Sequence, residues 1–271
     1  MRARPASCRE DNRMSQFSVS LTLIGGPTVL IEIGGLRLLT DPTFDPPGTY
    51  QLPHVTLEKT VGPARTLAEI GRIDAVLLSH DQHADNLDHA GRALLSGVPV
   101  VLTTQAGAER LGGTARGLAP WQTVEITGEN GRKLEVTATP ARHGPAGIEP
   151  LSGDVIGFLV GVNEPGDAIY VTGDTVWYDD VTEVARRYQP RLVVLFAGSA
   201  KTRGVLRLTM DSNDAIETAH AFAAARIVAV HNDGWAHFTE SREDLERAFA
   251  TLGLADRLRA VRPGEVVRLE L

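Results

Sequence analysis

The chain has 271 residues, of which 42% are hydrophobic and 23% are charged, and it contains 27 Lys and Arg residues against 34 Asp and Glu residues. This composition is typical of a folded globular protein and excludes a chain too polar to form a core. The formal net charge of −7 argues against nucleic-acid binding, because a protein that neutralises many phosphates normally carries a basic surplus.

The N-terminal segment contains little that a core could bury. Residues 1–13 (MRARPASCREDNR) mix Arg with Asp and Glu, so we predict a disordered tail there and one domain over residues 14–271. An uncharged run over 14–31 is long enough for a signal peptide or a transmembrane segment. Apolar residues alternate with Ser and Thr over 17–23, which instead indicates a half-buried strand, and we expect no membrane contact.

An antiparallel meander opens the predicted fold. Strand patterns cover 17–23, 29–33 and 36–40, and Gly34-Gly35 provides a tight hairpin turn between the last two. Residues 41–63 contain five prolines and little periodicity, which predicts a long loop that we expect to form a wall of a cleft.

The pattern then alternates between strands and helices without a Pro-, Ser- or Gly-rich linker. Further strands are predicted over 75–78, 98–103, 123–127, 133–139, 156–162, 168–172, 192–197, 227–230 and 266–271. Helices are predicted over 90–96, 105–111, 180–188, 211–224 and 241–252, with Asp211 as an N-cap and Ser-x-x-Asp as a capping box for the last. Strands outnumber helices, which indicates β-rich layers flanked by helices.

Four of these strands end in a residue that can bind a metal ion. His80, His143, Asp174 and His231 each follow a buried apolar run, and the ends of parallel strands converge on one edge of a sheet. Because Cys8 is the single cysteine, any metal must be held by His, Asp or Glu. The lone cysteine also favours a cytoplasmic location.

The run SHDQHADNLD over residues 79–88 is the densest cluster of metal-capable side chains. Five of its residues can bind a metal directly, and two of them are imidazoles. Imidazole nitrogen and carboxylate oxygen suit zinc and similar divalent ions. The chain offers more ligands than the four that close a structural site, so the pattern predicts a catalytic site or a pair of metals, with Asp174 as the bridging ligand.

These motifs resemble those of the metallo-β-lactamase-fold hydrolases, and within them the subgroup of ascorbate-phosphate lactonases and related small-molecule hydrolases. The resemblance covers nearly all of residues 17–271 and implies a fold of the α/β (α+β) class, a four-layer αββα sandwich. It also implies Zn²⁺ as the cofactor, with one or two ions, and Mn²⁺ or Fe as alternatives. The matching stretches are LSHDQHADNLD (78–88), PARHG (140–144), TGDT (172–175) and VHNDGWAH (230–237).

The first stretch departs from the His-x-His-x-Asp-His pattern of that family, and two alignments are open. Aligning on Ser79-His80 requires a one-residue insertion and implies His80, His83 and Asp85 as ligands. Aligning on the end of the stretch without a gap puts Asp81 in the place of the first His.

In either alignment the final His of the motif is replaced by Asn86, whose amide oxygen is a weak ligand. The resemblance therefore implies the first metal site more strongly than the second. The first would be formed by His80 or Asp81 with His83 and His143, and the second by Asp85, Asp174 and His231.

A bound divalent ion would lower the pKa of its water from about 15.7 towards about 7 and polarise a carbonyl or phosphoryl oxygen. Asp85 would then orient or deprotonate that water. His237 would line the pocket, donate a proton or cap the helix near Ser241. We consider Asp88 and Asp233 as carboxylates that orient the His ligands.

Several other residues are candidates for substrate contact or for purely structural roles. Lys201 and Arg203 follow a buried strand and would meet a phosphate or carboxylate, or else lie in a solvated loop. Trp177 and Trp235 would form pocket walls or pack in the core, and Asn86 lies within the first motif. We expect His54, His89 and His220 to be structural.

The resulting hypothesis is a metal-dependent hydrolase, with zinc as the expected ion, that cleaves a small-molecule ester, lactone, amide or phosphoester with metal-activated water. Its partners would be a small-molecule substrate and, as an option, further copies of the chain, without nucleic acid or membrane. Two alternatives are an iron-dependent oxidoreductase on the same fold and a non-catalytic ligand-binding protein in which Asn86 marks loss of the second site.

Overall fold

A computed structural model describes residues 17–52 and 54–271 of the protein. The tail predicted over residues 1–13 lies outside these residues. None of the helices in the described ranges combines the length and the apolar character needed to cross a bilayer.

The first of two large sheets contains seven strands in the order β15-β1-β2-β3-β6-β7-β8. Strands β15, β1, β2 and β3 pair antiparallel, and β3, β6, β7 and β8 pair parallel. The strands are β1 (Ser18–Gly25), β2 (Thr28–Ile33), β3 (Leu36–Thr40), β6 (Ala75–Leu77), β7 (Val101–Thr104), β8 (Ala115–Leu118) and β15 (Val266–Glu270).

The second sheet contains six strands in the order β14-β13-β12-β11-β10-β9. Strands β9 to β12 form an antiparallel meander, and β12, β13 and β14 pair parallel. The strands are β9 (Thr123–Thr127), β10 (Lys133–Pro140), β11 (Ile156–Gly161), β12 (Ile169–Val171), β13 (Leu192–Phe196) and β14 (Arg226–Val230).

The two sheets pack face to face, and helices cover their outer faces. Fully buried Leu21 and Leu38 from the first sheet share one apolar core with Phe158 and Val194 from the second. Burying such side chains stabilises the fold by about 1.5–3 kcal/mol each, so the shared core holds the sheets together. The helices are α1 (Leu67–Ile70), α2 (His89–Leu94), α3 (Gln105–Leu111), α4 (Glu149–Ser152), α5 (Asp179–Arg187), α6 (Ser212–Ala221) and α7 (Arg242–Thr251).

Each outer face has its own helix layer. Val181 of α5, Ala215 of α6 and Phe249 of α7 pack on the second sheet, while Ile70 of α1 and Leu95, which follows α2, pack on the first. The αββα sandwich implied by the resemblance is therefore confirmed.

Local chemistry explains most of the element boundaries. Gly34 and Gly35 both have positive φ values, +57° and +80°, which the tight turn between β2 and β3 requires. Ser241 and Asp244 form the predicted capping box of α7. Asp211 caps α6, but that helix ends at Ala221 rather than at the predicted Ala224.

The predicted loop over residues 41–63 contains a hairpin that the sequence pattern did not indicate. Strands β4 (Gly48–Gln51) and β5 (Thr56–Lys59) pair antiparallel and form a small separate sheet. The alternation of apolar and polar residues in these strands was not recognised, because each strand is short and prolines flank it. Strand β8 and helices α1 and α4 are also short, and the sequence pattern missed them for the same reason.

A buried carboxylate attaches this hairpin to the body of the protein. Asp88 accepts hydrogen bonds from the backbone of Phe44 at 2.9 Å, Asp45 at 2.7 Å and Gly91 at 2.8 Å. It also pairs with the ammonium group of Lys59, at the end of β5, at 2.8 Å. Both side chains are almost completely buried, so neither charge has an alternative partner in water.

Asp88→Ala removes the carboxylate and leaves the Lys59 ammonium group buried without its partner. We expect the free energy of unfolding to fall by about 3–5 kcal/mol, as it does when one member of a buried pair is removed. Urea denaturation measures this change. Asp256→Ala, at an exposed position, is the control and should stay within about 0.5 kcal/mol of the parent. A loss of similar size in both variants would contradict this account of the hairpin.

Candidate metal centre

The strand ends bring six metal-capable side chains to one edge of the sandwich. His80 follows β6 in the first sheet, and His143, Asp174 and His231 follow β10, β12 and β14 in the second. Strand β11 pairs antiparallel with both β10 and β12, so β10 and β12 run in the same direction. Strand β14 also runs in this direction, because β12, β13 and β14 pair parallel, and all three strands therefore end at the same edge. His83 and Asp85 reach this edge from the turn after His80.

The first group consists of His80, His83, His143 and Asp174, and one ligand atom from each lies within 4.8 Å of the others. His83 Nδ1 lies 2.9 Å from His80 Nε2 and 3.1 Å from His143 Nε2. Asp174 Oδ2 lies 3.5 Å from His143 Nε2 and 3.9 Å from His80 Nε2. Three nitrogens and one oxygen therefore surround one point.

The second group consists of Asp85, Asp174 and His231. His231 Nε2 lies 3.5 Å from Asp174 Oδ1 and 3.6 Å from Asp85 Oδ2. The two oxygens of Asp174 thus face different groups, which is the arrangement of a bridging carboxylate. His231 has a φ of +60°, a left-handed conformation that is unfavourable for a non-glycine residue and that is common at functional sites.

The residues of both groups fit a pair of divalent ions. Neither oxygen of Asp174 and neither nitrogen of His231 has a hydrogen-bond partner within the described ranges, although both side chains are buried. Such orphaned atoms are costly unless something compensates them. Nitrogens bound tetrahedrally at about 2.0–2.1 Å from zinc lie about 3.3 Å apart, close to the separations around His83. The nitrogen and oxygen donor set also suits zinc, manganese or iron.

The imidazoles of the first group favour their neutral form, which is the form that binds metals. Burial and, to a smaller extent, the neighbouring His143 lower the pKa of His83 to about 4. Burial likewise lowers the pKa of His143 to about 4 and holds the pKa of His80 well below its usual range.

The second group has a different balance of charge. Burial opposes ionisation of Asp85, but His237 and His231 hold the pKa of this carboxyl well below its usual value. Burial opposes protonation of His231, yet Asp174 and Asp85 raise its pKa. Burial raises the pKa of Asp174.

Neighbouring groups orient two of the histidines. Ser79 Oγ donates to Asp41 Oδ1 at 2.7 Å and lies 2.8 Å from His80 Nδ1, so the hydroxyl oxygen remains free to accept from that nitrogen. The carbonyl oxygen of Leu208 lies 2.8 Å from His143 Nδ1 and can only accept. Both arrangements direct Nε2 towards the first group with its lone pair available.

These contacts correct the expectation that Asp88 and Asp233 orient the ligands. Asp88 binds Lys59 and the hairpin, and Asp233 binds Arg242 and the backbone of Gly26. The sequence could have identified Asp41, which binds Ser79, as a residue of the site. Asp41 directly follows strand β3, just as each of the four strand-end ligands follows its own strand.

Asp81 lies outside both groups, which corrects its inclusion among the metal ligands. Its carboxylate pairs with Arg110, whose Nε lies 3.0 Å from Asp81 Oδ2, and its carbonyl oxygen accepts from Arg92. The fold therefore follows the alignment on Ser79-His80. Asn86 is also outside both groups; it is fully buried, and in the described part of the chain neither atom of its amide has a hydrogen-bond partner.

A cavity of about 440 Å³ opens directly over the ligands. His83, Asp85, His143 and His237 belong to its polar lining. His237 Nε2 lies 2.9 Å from Asp85 Oδ2, and Ser241 rather than His237 caps α7. The remaining lining residues are Leu52, His54, Val55, Leu57, Gln82, Arg110, Pro150, Leu151, Ser152, Gly153, Ala200, Thr202, Arg203 and Leu208.

The candidates for substrate contact divide into two sets. Arg203 lines the cavity, whereas Lys201 is exposed and does not. Trp177 packs against the apolar core under the helices, and Trp235 is buried beside Tyr50. Neither residue lines the cavity, so the expectation that they form pocket walls is corrected, and both have the alternative role of packing.

The walls of the cavity include residues that the sequence pattern did not identify. Leu52, Val55 and Leu57 from the β4–β5 hairpin form one wall, in agreement with the expectation that this loop borders a cleft. His54, expected to be structural, is exposed at this wall. Leu151 of α4 lies in another part of the lining, and its helix was not predicted.

Comparison with known proteins identifies the family. The sequence model of the beta-lactamase superfamily domain matches residues 36–232, which include all six ligands. The chain belongs to the β-lactamase superfamily. This membership agrees with the αββα sandwich and with ligands placed at strand ends.

Similar proteins align with nearly the whole chain. The UPF0173 protein YddR of Bacillus subtilis is 26% identical over 258 residues, which cover 91% of this chain and 98% of that protein. A UPF0173 metal-dependent hydrolase of Rubrobacter xylanophilus is 26% identical over 259 residues, covering 90% and 94%. The structure of an isothiocyanate hydrolase from Delia radicum gut bacteria superposes with a TM-score of 0.78 at 24% identity, covering 93% and 100%, and shows the same fold.

The two ligand groups predict how much metal each variant retains. Elemental analysis of the purified protein should find about two ions per chain in the parent and about one in His143→Ala or His231→Ala, because each variant damages one group. The metal content of Asp174→Ala should fall below that of His143→Ala or His231→Ala, because both groups lose a ligand. His89→Ala removes an exposed imidazole close to the motif and should leave the metal content unchanged. Equal metal content in Asp174→Ala and the parent would contradict the assignment.

Proposed function

We propose that this protein is a metal-dependent hydrolase that uses two divalent ions, with zinc as the expected metal, to cleave a small molecule. The observation that carries the proposal is the pair of ligand groups that share Asp174 at the floor of an open cavity. The name of the Rubrobacter xylanophilus relative and that of the isothiocyanate hydrolase support the same class of reaction.

The residues of the site have separable roles. His80, His83 and His143 would hold one ion, Asp85 and His231 the other, and Asp174 both. Ions bound there would supply hydroxide at neutral pH and polarise the bond to be cleaved. The protein itself orients His80 through Ser79 and His143 through the carbonyl oxygen of Leu208.

His237 is placed to handle a proton. Its Nε2 is hydrogen-bonded to Asp85, its ring lines the cavity, and its Nδ1 is buried without a hydrogen-bond partner among the residues described. We assign Asp85 the orientation of the attacking water and His237 the transfer of a proton to the leaving group.

The cavity has a volume in the range usual for ligand pockets, and its size and lining support a small-molecule substrate with an apolar portion. An ester, lactone, amide or phosphoester remains the expected bond. The imidazole and carboxylate ligands would also hold iron, so an iron-dependent oxidoreductase is the alternative that metal identification separates. The cytoplasmic location, the lack of nucleic-acid and membrane partners and the optional homo-oligomer stay predictions made from the sequence.

Turnover tests this proposal. The metal-loaded protein should hydrolyse at least one member of a panel of para-nitrophenyl esters, lactones and phosphodiesters, and a chelator should abolish the activity until zinc or manganese is restored. His237→Ala should lower kcat by about 10²-fold or more while retaining the metal, because a proton carrier is lost. His220→Ala, on the exposed side of α6, is the control.

Two results would contradict the proposal. One is hydrolysis that persists unchanged after the metal has been removed. The other is a metal-loaded protein inactive on the whole panel that instead shows an iron-dependent redox reaction.

A further inference from the structure

The cavity over the ligands is lined by both polar and apolar side chains. Its floor is polar, whereas Leu57 of β5 and Leu151 of α4 belong to an apolar lining that extends to the rim. Leu151 is 59% exposed, so this apolar surface continues out of the cavity. A ligand that fills this space therefore needs an apolar body next to the bond that faces the floor.

One cation in the lining has no acidic partner. Arg203 lies on a loop that is closed by backbone hydrogen bonds from Ser199 to Met210 and from Leu208 to Ala200, each 2.9 Å long. Its Nη2 donates to the carbonyl oxygen of Leu151 at 3.0 Å, and it forms no ion pair with any carboxylate in residues 17–52 and 54–271. Most of its five N–H donors are therefore free for a ligand.

The other guanidinium group in the lining is already neutralised. Arg110 contacts the carboxylate of Asp81 through both Nε and Nη2 and also donates to Gln82. A ligand anion at Arg110 would have to compete with Asp81, whereas at Arg203 it would not.

We propose that the cavity binds an amphipathic anion, in which a compact apolar body carries one carboxylate or phosphate group, and that Arg203 binds this anionic group. The inference rests on the proposed function, since it describes the substrate of that site. A guanidinium group matches the planar, bidentate geometry of carboxylate and phosphate oxygens, and pairing in a partly desolvated pocket strengthens such contacts. The apolar body would then lie against Leu57 and Leu151, with the bond to be cleaved over the ligands.

Binding of matched probes tests the proposal without requiring turnover. Isothermal titration calorimetry compares phenylbutyrate and phenylpropyl phosphate with the neutral phenylbutanol on the protein as purified, with its metal content determined. Some preference for an anion arises from any bound metal and is common to all variants. The part of the anion preference that is due to Arg203 is measured as the difference in this preference between the parent and Arg203→Met.

We expect Arg203→Met to reduce the preference for the anionic probes roughly ten- to a hundredfold, with little change for phenylbutanol. Arg203→Lys should retain part of the preference, because it keeps the charge but loses the bidentate geometry of the guanidinium group. Lys201→Met is the matched control: it removes the same charge from the same loop, outside the cavity, and should behave as the parent does. The anionic probe whose affinity falls more in Arg203→Met identifies the natural group as a carboxylate or a phosphate.

Three results would overturn the proposal. They are equal binding of anionic and neutral probes by the parent, equal weakening in Arg203→Met and Lys201→Met, and no binding of any probe at millimolar concentration. If Arg203→Met does not fold, as judged by circular dichroism, the proposal is tested by Arg203→Lys and by the comparison of anionic and neutral probes on the parent. Failure of the proposed hydrolase activity would be seen separately, because these titrations do not depend on turnover.

Discussion

The structure depends on one costly arrangement, in which two carboxylates and three imidazoles are buried at one edge of the sandwich beside a fourth imidazole, His83, that is half-buried. Asp174 is fully buried and its oxygens accept no hydrogen bond from the described residues, so the free energy of its ionised form depends on cations nearby. His231 supplies part of that compensation, and divalent ions between the two groups would supply the rest. A side-chain set of this kind is unfavourable as a purely structural core, which is why we interpret it as a metal centre.

The remainder of the fold positions this set. The shared core of the two sheets fixes the directions of β6, β10, β12 and β14, and therefore the points at which their ligands emerge. Asp41 and Ser79 then orient His80, and the carbonyl oxygen of Leu208 orients His143. Asp88 and Lys59 hold the β4–β5 hairpin beside the ligands, so the cavity wall depends on a buried ion pair that does not contact the metal groups.

The sequence predicted those features that depend on local pattern. Apolar runs that end in His or Asp identified the four strand-end ligands, because the edge at which parallel strands end is a consequence of strand direction alone. The alignment of the first motif could not be predicted, because it depends on Arg110, a residue distant in sequence that pairs with Asp81 and turns it away. The role of Leu208 was equally hidden, since any residue has a backbone carbonyl. The sequence also predicted that residues 41–63 border a cleft, but the hairpin within this loop was missed because its strands are four residues long and lie between prolines.

The central claim is that two ions bind on either side of Asp174, and anomalous diffraction at the metal absorption edge tests it most directly. Crystals of the protein purified without chelator should show two anomalous peaks, one among His80, His83 and His143 and the other between Asp85 and His231, with Asp174 contacting both. A metal-supplemented crystal with no peak at this edge of the sandwich, or with its only peak elsewhere, would contradict the account.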